Sequence, residues 1–243
     1  GTESLNNENI KGYNLPLGAT NIMTTGKEYD NIYPVWDWTR IPGTTAIGNQ
    51  DKTSLEGYQI GNNEFGGGVS DGVNGIIAYK GKYNELQANK AYFFFDNMMF
   101  CIGSDISYVQ NDNVLTSVEQ NLLNGEVIYN DGQEKQLSSN SNMQLKQLKW
   151  VYHNNTGYIF RGTDNVTIQN MPQAGSWKDI NATGESGLID KNVFSVWINH
   201  GLNPENASYQ YIVVPDKSID AFRDLAEQID LYIAQNDGSV QAI

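Results

Sequence analysis

Tyr33-Pro34-Val35-Trp36-Asp37-Trp38-Thr39-Arg40-Ile41-Pro42-Gly43-Thr44-Thr45 is the least ordinary stretch of the chain, because its order of aromatics, prolines and paired threonines follows no helix or strand period. Read locally, Trp36 and Trp38 are two apart and share one face of a strand, which Pro42-Gly43 ends with a turn. The indoles then serve one of two uses. They pack a core or a domain interface, with Asp37 and Arg40 satisfying polar groups there, or they offer flat faces to the C–H surface of a sugar. Trp36, Trp38 and Arg40 are candidate substrate-binding residues on the second reading.

Outward from this stretch, apolar residues alternate with period two between Gly, Asn and Asp turns, the pattern of antiparallel strands. The spacing predicts strands over Gly75 to Lys80, Ala91 to Asp96, Met98 to Gly103, Leu115 to Asn121, Glu126 to Tyr129, Leu148 to His153, Tyr158 to Arg161, Asn165 to Met171, Val193 to Asn199 and Tyr209 to Pro215. The fold class is all-β. Asn130-Asp131-Gly132, Asn154-Asn155-Thr156-Gly157 and Asn236-Asp237-Gly238 supply residues that tolerate positive φ in tight turns. Across the second of these, Trp150 and Tyr152 are expected to face Tyr158 and Phe160. The polar stretch Leu137 to Gln144 reads as an exposed loop. One short helix is expected after Pro215, where Ile219, Phe222, Leu225, Ala226 and Ile229 recur at helical spacing behind Ser218. No composition shift marks a linker, so a single large domain is expected.

Composition narrows the function. Of 243 residues, 15 are Lys or Arg and 28 Asp or Glu, giving a net charge of -13 with no basic cluster, which argues against nucleic acid and anionic membrane as partners. The 14 Tyr and 5 Trp mark a globular chain. The single cysteine, Cys101, lies in the apolar run Phe100-Cys101-Ile102 and reads as a buried, inert thiol. No apolar run is long enough for a membrane span and no signal peptide is readable; Gly1 looks like the scar of a cleaved tag.

A series of motifs in fixed order resembles polysaccharide lyase family 8, the bacterial chondroitin AC, hyaluronate and xanthan lyases. The opening stretch is similar to that family's signature. Phe65-Gly66-Gly67-Gly68-Val69-Ser70-Asp71-Gly72 looks like its glycine-rich turn before a Tyr-bearing strand, here Ile76-Ile77-Ala78-Tyr79. Ala91 to Asp96, Cys101 to Ile106 and Val114 to Gln120 resemble its next strands. Phe194 to Gly201 and Tyr209 to Pro215 complete a series running from about Leu5 to Ile243. The resemblance implies an antiparallel super-sandwich of the galactose-mutarotase-like kind occupying residues 1–243. It also implies that a helical α/α-toroid carrying most of the catalytic groups and a smaller C-terminal β domain lie outside this chain.

What the resemblance implies chemically is β-elimination on an acidic, uronate-containing polysaccharide, with no cofactor, in a secreted or periplasmic bacterial enzyme. Removing a proton α to a carboxylate requires that the carboxylate charge be neutralised and a base held within hydrogen-bond reach. The family draws its Asn, Tyr, His and Arg for this from the toroid, so the chain alone is expected to be inactive. The β domain of chondroitin AC lyases lends a glutamate that pairs with the active-site arginine; Glu64 is the candidate here, with Glu56 a competitor in the same loop. Asn62 and Asn63 beside it are candidates for hydrogen bonds to a sugar. His153 and His200 fall in β motifs and read as structural. Trp177 is a weaker binding candidate in a loop. Asp71, Asp96 and Asp105 are conceivable oxygen ligands, but their spacing matches no calcium loop and no metal is expected. A freestanding carbohydrate-binding β-sandwich without catalysis is the rival reading.

Overall fold

The computed structural model describes residues 4–48, 62–83, 85–229 and 233–243. The strands run β1 (Thr45–Ile47), β2 (Phe65–Ser70), β3 (Gly75–Tyr83), β4 (Leu86–Phe95), β5 (Met98–Ser107), β6 (Asn113–Leu122), β7 (Val127–Asn130) and β8 (Glu134–Gln136). They continue as β9 (Ser141–Leu145), β10 (Trp150–His153), β11 (Thr156–Phe160), β12 (Val166–Gly175), β13 (Ile189–Leu202), β14 (Ala207–Val214), β15 (Gln235–Asn236) and β16 (Gln241–Ala242). Two antiparallel sheets stack face to face. Among the described residues one is ordered β1-β6-β13-β12-β9 and the other β2-β3-β4-β5-β14-β11-β10-β7-β8. The main core lies between them, where Val118, Ile168 and Phe194 of the smaller sheet meet Cys101, Tyr158 and Tyr211 of the larger.

The larger sheet is apolar on its outer face as well, and the helix α1 (Ile219–Gln228) covers part of it. Ser218 caps the helix, its hydroxyl accepting from the Ala221 amide at 3.3 Å. Phe222 is its fully buried anchor and meets Trp150 edge-on at 5.4 Å and Tyr152 at 5.5 Å. Burying such a ring is worth about 2–3 kcal/mol. A third cluster forms where Tyr29, Ile32, Val35, Trp36 and Ile41 pack against Val193 at the edge of the smaller sheet.

Four expectations are corrected. Trp36 and Trp38 do not lie on a strand: Tyr33–Val35 is a 3-10 turn with Pro34 at its start, where the missing proline N–H costs nothing. Asp37 then accepts from the Thr39 amide at 3.0 Å and hydroxyl at 2.6 Å, folding the segment back on itself. The glycine-rich stretch from Phe65 is strand β2, with its turn beginning only after Ser70. The supposed loop runs into strand β9 (Ser141–Leu145), an edge strand that needs only one apolar face. Finally, Trp150 and Tyr152 lie opposite Ile159 and Gly157, while Tyr158 and Phe160 point into the core. The reason is the two-residue turn: Asn154 and Asn155 both take positive φ, which pairs His153 with Thr156 and fixes an odd register.

Candidate functional site

An open groove of about 470 Å³ lies where the N-terminal segment crosses the inner face of β3 and β4 beyond the reach of the smaller sheet; Ala19, Asn63, Ile77, Tyr79, Tyr92 and Phe94 are among its lining residues. A smaller recess shares Pro16, Asn63 and Tyr79 with it and adds Lys82. The wall is built by close approach. Gly18 has φ of 89°, and a Cβ on it would lie 2.4 Å from the Tyr79 hydroxyl, so only glycine lets the segment lie flat on the sheet. Tyr79 donates to the Leu17 carbonyl at 2.7 Å and Tyr92 to the Gly18 carbonyl at 3.0 Å.

The opening motif braces this wall from behind. The Thr20 amide donates to the Pro42 carbonyl at 2.9 Å, and Gly43, with φ of 81°, donates its amide to Ser117 at 2.8 Å. The Gly43 carbonyl accepts from the ammonium of Lys90, whose side chain is wholly buried between the sheets. Burial holds that amine down, to about 7. Tyr79 and Tyr92 are pushed above the usual phenol range by the same desolvation. Both hydroxyls therefore act as neutral donors to backbone.

Of the candidate site residues, the structure brings Asn63 alone into the groove. Asn62 is exposed at the rim, its amide donating to the Lys82 carbonyl at 2.8 Å. Glu64 turns to the other face of the sheet, its carboxylate 3.7 Å from Lys80 and its side chain 77% exposed. Glu56 lies outside the described residues. Trp36 is 6% exposed, its Nε1 donating to the Gln120 carbonyl at 3.0 Å and its ring held edge-on by Tyr33 and Trp38. Trp38 is half-buried and bonded to the Tyr33 carbonyl at 3.1 Å. Arg40 is clamped to Asp37 with its guanidinium 4.2 Å over the Trp197 ring. None of these three lines the groove. Trp177 sits half-buried in a 3-10 turn closed by a Ser176–Asp179 capping box.

The two histidines, Cys101, Asp71 and Asp105 are structural in placement. His153 accepts from the Asn124 amide at 2.9 Å, His200 shares a 2.8 Å bond with the Thr116 hydroxyl, and burial lowers both to about 4. Cys101 is fully buried, and desolvation pushes its thiol up to about 12. Asp71 is engaged by the Val73 and Asn74 amides and Asp105 by Gln87. Among the described residues no group of three or more His, Cys, Asp or Glu is placed to hold a metal. No described helix is long and apolar enough to cross a membrane. Tyr79 and Tyr92 were legible only as members of strands and Lys90 not at all, although strict alternation along β4 puts Lys90 on the inward set with Tyr92.

Comparison with known proteins matches residues 1–226 to the family described as polysaccharide lyase family 8, super-sandwich domain. A chondroitinase-AC of Pedobacter heparinus is 42% identical over 88% of this chain and 31% of its own length. A xanthan lyase of a Bacillus species is 29% identical over 99% of this chain and 27% of its own length. Among solved structures, a chondroitinase AC lyase studied with bound oligosaccharide superposes with a TM-score of 0.89 at 39% identity, over 98% of this chain and 36% of that one. A Paenibacillus xanthan lyase gives 0.88 at 28% identity, over 98% of this chain and 24% of that one. The chain thus spans about a third of the length of the curated relatives it matches.

Proposed function

Because the chain belongs to polysaccharide lyase family 8, we propose that it forms the β-sheet wall of an enzyme that cleaves an acidic, uronate-containing glycan by β-elimination. The observation that carries this is the groove under Tyr79: it is open, it is braced by buried polar contacts, and it presents Asn63. In the elimination, the proton α to the uronate carboxylate leaves to a base, its electron pair forms the C4–C5 double bond as the C4–O bond breaks, and the 4-linked sugar departs with a proton delivered to its oxygen. The acidity of that carbon depends on neutralising the carboxylate. Asn63 brings an amide donor to the groove wall. The wall's own phenols and the two histidines are committed elsewhere, so the base comes from outside these residues.

The open apolar surface supports a second part of the reading. Ile77 is 52% and Phe94 37% exposed beside the groove, and such a patch on a single chain marks a surface meant to be covered. A helical toroid domain seated there closes the groove into a cleft and supplies the base. Trp38 and Arg40 serve packing rather than sugar stacking. Secretion to the periplasm or medium follows from a polymeric substrate. Incubation of the chain with chondroitin, hyaluronan or xanthan tests the division of labour: no ultraviolet absorbance from unsaturated product is expected from the chain alone, and clear turnover would overturn it.

A further inference from the structure

We propose a second carbohydrate subsite, for a neutral sugar ring, in the cavity on the outer face of the larger sheet between β2, β4 and the β15–β16 hairpin. The ligand class rests on the glycan reading above; the site does not, because it lies on the opposite face from the groove. Alternation puts Ile77 and Tyr79 on the groove side and Ile76, Ala78 and Lys80 on this one. The cavity is about 200 Å³. Its depth comes from the small side chains Ala78 and Ala91, and Phe65 and Phe93 give it aromatic walls.

The opposite wall is fixed to the sheet. Asn236 donates to the Gly103 carbonyl at 3.0 Å, and the Ser104 hydroxyl donates to the Asp237 carbonyl at 2.7 Å. Asn89 donates to the Gly238 carbonyl at 3.4 Å. Asn89 lines the cavity, is 4% exposed, and leaves its Oδ1 without a donor. An unpaired buried acceptor is unfavourable, and a turn of the Asn89 side chain that brings its Oδ1 to the cavity lets a sugar hydroxyl satisfy it. Phe65, 54% exposed, offers its ring to the C–H face of a sugar.

Charge selects which sugar. Lys80 faces the cavity, but Glu64 lies 3.7 Å from it and Asp237 adds a second carboxylate to the lining. One positive group against two negative ones leaves the rim with an excess negative charge, which disfavours a uronate and admits a neutral hexose or N-acetylhexosamine. In a polymer that alternates the two, the subsite takes the neutral residue.

The test is titration of the isotopically labelled chain, followed by amide NMR, with a chondroitin hexasaccharide, with N-acetylgalactosamine and with glucuronate. Saturable shifts are expected at the Asn89 side chain and at Gly238 and Ser239 with the first two and not with the third. Phe65→Ala is expected to weaken them about tenfold, the upper range for one aromatic contact. Absence of shifts at these positions with the first two probes, an equal response to glucuronate, or an unaltered affinity in Phe65→Ala would overturn the proposal. Shifts at Asn63 and Ala19 report the groove separately, so either site can fail alone.

Discussion

Asn63 and Glu64 are neighbours in the chain and serve opposite faces of one sheet: Asn63 lines the groove beneath Tyr79, whereas Glu64 reaches Lys80, 3.7 Å away, on the outer face. The alternation that starts at the head of β2 separates them. A loop that reads as one cluster of polar candidates therefore feeds two surfaces.

Glu64→Gln follows directly. An exposed ion pair of this kind contributes about 0–1 kcal/mol, so thermal unfolding of the chain is expected to change by no more than that. In a full-length lyase carrying this chain, a fall in turnover without loss of stability indicates that Glu64 meets a partner beyond Lys80.

Gly157→Ala places a Cβ 1.9 Å from the Phe222 ring. Overpacking of this kind costs about 1–3 kcal/mol, and Phe222→Ala alone about 3–5 kcal/mol. Denaturant unfolding of both single variants and the double variant is expected to show a double variant less destabilised than the sum.

Glu119 is buried, accepting from Tyr29 at 2.7 Å and Tyr158 at 2.8 Å, and so ties the N-terminal segment and both sheets together. Burial raises its carboxyl from 4.5 to about 7. The folded state then holds a proton that the unfolded state releases, so its contribution is full below pH 4.5 and is lost as pH rises through about 7. His153 and His200, lowered to about 4, act in the opposite sense over much of that window. The stability deficit of Glu119→Gln relative to wild type is accordingly expected to shrink between these pH values, measured by denaturant unfolding.

Lys90 gives the converse slope. Burial lowers its amine from 10.5 to about 7, so the unfolded state binds the extra proton and wild-type stability gains from this group as pH rises between those values. Lys90→Met is expected to lose that slope. If its pH profile parallels wild type across the window, the buried amine is not the titrating group.

The all-β class, most strand positions and the capped helix were legible because period-two alternation, Asn turns and the Ser218 cap are local signals. The Trp36–Trp38 segment was not, since its conformation depends on Pro34 lacking an N–H and on the Asp37 side chain replacing backbone partners. The facing of Trp150 and Tyr158 was lost for a similar reason: two Asn in positive φ shift the pairing by one residue, which reverses a whole face. Asn63 was readable as a polar candidate, but its groove is made by Gly18 and Tyr79, far apart in sequence. Lys90 and Gly43 meet across 47 residues, a relation no spacing rule contains.

The central claim is that the groove holding Asn63 is a wall of the substrate cleft. Steady-state cleavage of chondroitin, hyaluronan and xanthan by a full-length lyase containing this chain, with and without Asn63→Ala, tests it most directly. The account expects kcat/KM on the preferred polymer to fall by about tenfold to a hundredfold, the loss of one or two hydrogen bonds to a charged or sugar group, with thermal stability unchanged. Wild-type kcat/KM in a folded Asn63→Ala enzyme would contradict it.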